Sequence, residues 1–179
     1  MKTPLFLFAT AAILVGGCSF STGTTPAEAA VELIEGPLSQ QNGLEYVGVE
    51  CTEPAANEPG ETFTCTASAT EGGPVVTFDG LVEADEKIFV SPTNIIDAEE
   101  MALVESEAAD AIGGEIGTTI DPSDVNCPDV TTVLVDDQMQ CEITDAATGD
   151  RYELIVTATD FVLREGYGSR FYEIGIPIE

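Results

Sequence analysis

The sequence predicts an α+β protein of two tandem repeats, each a short helix packed on a small antiparallel sheet of three to four strands and closed by one disulfide. Three observations carry that expectation. Cys51 and Cys65 are fourteen positions apart, and so are Cys127 and Cys141. A glycine turn follows the second cysteine of each pair, at Gly72-Gly73 and at Gly149, and an apolar run follows each turn, residues 75–82 and 152–158. A helix-start signal precedes each pair, at Thr25 and at Asp97. With 179 residues the chain has room for two small units, and the repeat divides it into residues 25–92 and 93–179.

Before the repeats, Met1-Lys2-Thr3 gives a positive start, and residues 4–15 form an apolar stretch of twelve. That is too short to span a bilayer and has the length of a signal-peptide core. It ends in Leu14-Val15-Gly16-Gly17-Cys18, which resembles the bacterial lipoprotein signal, where small residues precede a cysteine that is acylated and heads the mature chain. The resemblance implies that residues 1–17 are removed, that Cys18 carries the lipid, and that residues 18–24 form the anchor and a polar tether. The protein is then held at the extracytoplasmic face of the cell membrane. An ordinary secretory signal cut elsewhere is the alternative.

Export governs the cysteine chemistry. Four cysteines remain after Cys18, an even number in an oxidising compartment. Of the three pairings, the repeat selects Cys51 with Cys65 and Cys127 with Cys141, because each unit then closes itself. Each bridge should add roughly 3 kcal/mol. A zinc site wants closely spaced cysteines or cysteine with histidine, and the chain has neither CxxC nor any His. No metal and no cofactor are expected.

Thr25-Pro26-Ala27-Glu28 reads as a helix start with a Thr cap, Pro at the first helical position and a reciprocal Glu. Ala30, Leu33 and Ile34 share its apolar face, and Gly36-Pro37 should break or end it, with one further turn at residues 38–41. Residues 44–51 read as a strand. Residues 62–69 alternate cleanly, placing Phe63, Cys65, Ala67 and Ala69 on one face against threonines and a serine on the other. In residues 75–84 the core face holds Val76, Phe78 and Val82, and residues 87–90 supply a last short strand. In the second unit Asp97-Ala98-Glu99-Glu100 is another capping-box start. Met101, Val104, Ala108, Ala111 and Ile112 form the stripe, stopped by Gly113-Gly114. Val125 and Cys127 open the sheet; Met139, Cys141 and Ile143, then Tyr152, Leu154, Val156 and Ala158, face inward; residues 171–176 close it.

The charge is extreme, with 33 Asp and Glu against 5 Lys and Arg. Nucleic acid and anionic lipid surfaces are therefore poor partners, since binding phosphates needs a basic footprint. A cationic partner or solubility in a salty medium explains the acidity, while 44% apolar residues are enough to build cores. Without His, nucleophilic catalysis by a Ser or Cys with a His base is ruled out within this chain, and no SxxK spacing surrounds Lys87. Paired carboxylates for glycoside hydrolysis are not singled out among so many acids, and no Trp is present to stack on sugars. No dinucleotide, P-loop or EF-hand motif occurs. Asp121, Asp124, Asp129, Asp136 and Asp137 could gather around Ca²⁺ but fit no loop spacing, and a solvated acidic loop is the simpler reading. Catalytic residues are thus not expected.

One stretch departs from the rest. Residues 164–172 gather two arginines and three aromatics: Arg164, Tyr167, Arg170, Phe171 and Tyr172. Arg and Tyr are favoured interface anchors, so these are the candidate contact residues for a partner protein or envelope component. A glycine-rich hairpin whose arginines pair with nearby acids is the plainer alternative. The residues thus point to a membrane-anchored binding module, with an inhibitor or sensor partner acting through this hairpin as the second reading.

Val125-Asn126-Cys127-Pro128 and Gly60-Glu61-Thr62-Phe63-Thr64-Cys65 together match Val-x-Cys-Pro and Gly-x-x-Phe-x-Cys. With the glycine turn and the following Val/Thr strand, the halves resemble the domain of unknown function 4333 family of actinobacterial lipoproteins and membrane-anchored proteins. Thr52 stands where Pro is expected, and Asp136 and Met139 stand for Gly and Phe. The resemblance implies a disulfide-stapled α+β module and no activity. A helix on a small antiparallel sheet, duplicated, is also similar in plan to the secreted β-lactamase inhibitor proteins, a likeness with which function does not travel.

Overall fold

A computed structural model describes residues 18–19 and 23–178. The expected leader, residues 1–17, lies outside them, as do residues 20–22 of the expected tether and the side chain of Cys18. The architecture is α+β with antiparallel sheets and two disulfides, Cys51–Cys65 and Cys127–Cys141.

The first helix, α1 (Pro26–Leu33), starts as its capping box dictates. Thr25 Oγ1 accepts from the Glu28 backbone N–H at 3.2 Å, and Glu28 accepts from the Thr25 N–H at 2.9 Å. Gly36-Pro37, where the sequence predicts a break or an end, does not interrupt the helical run. It passes through a π turn, Ile34–Leu38, into α2 (Ser39–Asn42). Proline has no N–H to leave unpaired, and the wider π turn relieves the clash its ring makes with an α-helical carbonyl. Leu33, Ile34 and Leu38 therefore stay on one buried face. The run covers strands β2 (Val47–Cys51), β3 (Thr62–Ser68), β4 (Val75–Glu83) and β5 (Lys87–Pro92), which pair antiparallel in chain order. A fifth strand, β1 (Cys18–Ser19), adds to the outside of β5, with Cys18 opposite Ile88. The start of the expected tether is thus backbone-paired, and this sheet has five strands rather than three or four. Phe63, Cys65, Ala67, Val76, Phe78 and Val82 point into the core as the alternation predicts.

The second sheet holds β7 (Val125–Asn126), β9 (Gln138–Thr144), β10 (Arg151–Val162) and β11 (Gly166–Ile178), again in chain order. Its helix, α3 (Ala98–Ile116), is 19 residues and not short. It runs through Gly113-Gly114 because Gly117, at φ 74°, supplies the left-handed cap that only glycine takes readily. Asp97 caps the start by accepting from the N–H groups of Glu99 and Glu100, at 2.9 and 2.8 Å. Ala111 is exposed, and Ala109 takes the place expected of it in the core. Met139, Cys141, Ile143, Leu154 and Val156 complete that core.

Between the sheets, β6 (Ile95–Ile96) pairs with β8 (Thr132–Val133). Successive residues of a strand face opposite ways. Ile95 accordingly enters the first core and Ile96 the second. Asn94 fixes this crossing: its Oδ1 accepts from the Thr77 N–H at 2.9 Å, and its Nδ2 donates to the carbonyls of Val75 at 2.9 Å and Leu134 at 3.3 Å.

Candidate functional site

The residues singled out from sequence lie on one hairpin, β10 to β11, whose turn is at residues 163–165. Its tip reaches back over the first sheet. Arg164 forms an ion pair with Glu83 of β4, and its guanidinium carbon sits 4.3 Å above the centroid of the Phe89 ring in β5. Tyr167 donates to the carbonyls of Thr93 at 3.0 Å and Ile95 at 3.3 Å, and packs edge-on to Phe161 with centroids 5.5 Å apart. Burial, then the charges of Glu100 and Asp137, push its phenol upward.

Further along β11, Arg170 is 11% exposed and donates to Glu107 at 3.0 Å and Glu100 at 3.2 Å, both on α3. Glu100 therefore turns to Arg170 and does not close the capping box expected of it. Burial raises its carboxyl above the usual range, while Arg170 pulls the other way. Arg170 Nε is buried with no acceptor among the described residues. Tyr172 donates to Glu107 at 3.0 Å. Phe171 points to the opposite face of the sheet and is 62% exposed.

The structure thus brings Arg164 and Tyr167 together at the junction of the two sheets. It binds Arg170 and Tyr172 to α3 and leaves Phe171 on the open face. At the junction is a cleft of about 410 Å³ between β5, the first turns of α3 and the hairpin. Phe89, Phe161 and Leu103 supply its apolar lining, and Asp97, Glu99, Glu100 and Glu165 its carboxylates. Leu103 is 50% exposed. Phe89, Phe161 and Leu103 were not among the residues picked out by sequence. A signal for Phe89 existed: Ile88, Phe89 and Val90 run on without alternation, and all three are buried, so both faces of β5 are covered there.

The aspartates considered for Ca²⁺ have local roles or none. Asp121 accepts from the Ser123 N–H at 3.0 Å and from its hydroxyl at 2.7 Å, bonds that lower its carboxyl. Asp136 and Asp137 make a two-residue hairpin turn at φ 53° and 62°. Among the described residues no group of three or more potential ligands is placed to hold a metal, and no helix is long and apolar enough to cross a membrane. Comparison of the chain with protein-family models, with curated proteins and with solved structures finds no match.

Proposed function

We propose that this chain is a non-enzymatic, membrane-anchored lipoprotein whose folded part is an extracytoplasmic binding module for a protein or another envelope component. The observation that carries the reading is the cleft at the junction of the sheets, where aromatic and aliphatic side chains meet a rim of carboxylates. Mainly apolar concavities with a few convergent polar groups are the usual form of a binding site. The Gly16-Gly17-Cys18 signal supports acylation at Cys18.

We also read the chain as two tandem repeats. In support, the strands β2-β3-β4-β5 and β7-β9-β10-β11 each lie antiparallel in chain order, with a helix before them and one disulfide, from β2 to β3 in the first sheet and from Cys127, just past β7, to β9 in the second. This plan is what the resemblance to the 4333 family implies.

A second reading, an inhibitor or sensor partner working through the hairpin at residues 164–172, is favoured by the exposure of Phe171. In-cell crosslinking of the tagged protein against a Cys18→Ala control, followed by affinity purification, tests the module reading. A single envelope protein enriched only with the intact Cys18 is the expected result, and recovery of no partner from either form overturns it. Loss of that partner on Phe171→Ala, with the cleft unaltered, selects the second reading.

A further inference from the structure

At the end of the second sheet away from the hairpin tip, a cavity of about 440 Å³ opens between the last turns of α3, residues 118–124 and the sheet. Ile112 and Ile116 of α3, Ile143 of β9, Tyr152 of β10 and Ile174 of β11 supply its apolar walls. After α3 the chain doubles back at Gly117, and the Thr118 N–H donates to the Gly113 carbonyl at 3.0 Å, which lays residues 118–120 against the helix end as a further wall. Across the sheet, the pairs Tyr152–Pro177 and Leu154–Ile174 leave Gly175 and Ile176 together opposite Glu153, a bulge that bends β11. Ile174 faces the helix side, as its partner Leu154 does, yet it is 43% exposed, and Ile116 is 60% exposed. Exposed aliphatic side chains gathered around one concavity, rather than scattered singly, mark a binding site.

The polar part of the lining chooses the ligand. Asp124 and Asp145 are its charged residues, and it includes no Lys or Arg. Asp145 is fixed at the turn after β9, where its carboxylate accepts from the Ala147 N–H at 2.8 Å. The C-terminus of α3 meets the same cavity, and the last turn of that helix carries no basic residue to offset the negative end of its dipole. Two carboxylates and a helix C-terminus thus set a negative potential on walls of isoleucine and one aromatic ring. An anion is repelled there, whereas a cation on an apolar body satisfies both the charge and the walls.

We propose that this cavity binds a small organic cation, an ammonium group carried on an aliphatic or aromatic body. The body packs on the isoleucines, and the ammonium group is drawn to Asp124 and Asp145, with the Tyr152 ring adding the attraction of an aromatic face for a cation. Burial of the body supplies most of the affinity, and the charge supplies the selection. The volume falls within the usual range of small-molecule sites, about 300–1,000 Å³. This site lies at the opposite end of the β10–β11 hairpin from the junction cleft, so it stands apart from the binding-module reading.

The test is NMR of the purified full chain with methyl-labelled isoleucine, titrated with phenylbutylamine at physiological ionic strength. Neutral phenylbutanol and anionic phenylbutanoate are its controls. The methyls of Ile112, Ile116, Ile143 and Ile174 should shift, while those of Ile34 and Ile88 in the first core stay in place. The amine should bind at least about tenfold more tightly than the alcohol, and the carboxylate most weakly. An acidic chain attracts cations everywhere, so the charge needs its own control. Asp124→Asn with Asp145→Asn should bring the amine to within about twofold of the alcohol, while Glu58→Gln with Glu71→Gln, both exposed on loops of the first sheet, should leave the preference intact. Shifts absent from the four lining methyls or spread equally over both cores would overturn the site. An amine bound no more tightly than the alcohol, or equal loss of preference from the two pairs of substitutions, would overturn the choice of a cation.

Discussion

The Phe63 ring covers Gly80 on the neighbouring strand so closely that a Cβ built there would lie 2.3 Å from it. Phe63 is 3% exposed and cannot retreat without leaving the core. Gly80→Ala should therefore cost roughly 1–3 kcal/mol by overpacking, read as a lower denaturant midpoint at unchanged slope. Asp137 poses the opposite case. It holds φ 62° in a tight turn closed by backbone bonds of 3.1 and 3.0 Å between Val135 and Gln138. Left-handed backbone costs a non-glycine residue about 1 kcal/mol, so Asp137→Gly should raise stability by about that much in the same measurement. Neither position was legible in advance. The first depends on which residue the register places opposite Gly80, the second on the sign of a dihedral angle.

At the scale of elements, the hairpin separates two kinds of arginine. Arg170 is 11% exposed between β11 and α3 and pairs with two carboxylates that are themselves 38% and 41% exposed, so Arg170→Ala should cost about 1–2 kcal/mol by leaving Glu100 and Glu107 facing each other. The Arg164 pair is half exposed, and Arg164→Ala should cost under about 1 kcal/mol. Thermal unfolding of the two variants checks the contrast. The strands were legible because one face of each is wet and the period of two survives, as at Phe63, Cys65 and Ala67. The disulfides were legible because the same fourteen-residue spacing occurs twice, which offers each cysteine a nearby partner; Cys51 and Cys65 are directly opposed in the register. The path of the first helix through Pro37 was not, since only a turn wider than the α-helix reconciles that residue with a continuous helix. Of the candidate site, residues 164–172 stood out by composition. Their division between cleft, helix and open face depends on packing between elements far apart in sequence.

For the whole molecule, three tyrosines spread over both cores set an alkaline limit. Burial raises the phenols of Tyr46, Tyr167 and Tyr172 above the ordinary 10.0, and Glu107, accepting from Tyr172, adds to the effect there. A raised folded value means that the associated stability is complete below the unfolded value and is lost as pH climbs, because the unfolded chain ionises first. Unfolding free energy should accordingly decline from about pH 10 upward, with the tyrosinate absorbance of a Tyr152→Phe variant, whose remaining tyrosines are these three, rising together with the loss of tertiary circular dichroism. Tyrosinate appearing well before that loss would contradict the burial.

Ile95 and Ile96 are neighbours on one short strand, yet each fills a different core. The strand works as a rivet through two plates. A load that pulls one core apart reaches the other through this strand. Tearing either core pulls on the residue that plugs the next. Stretching single molecules by their ends should therefore give one rupture event, although the sheets on either side of the rivet are separately stapled.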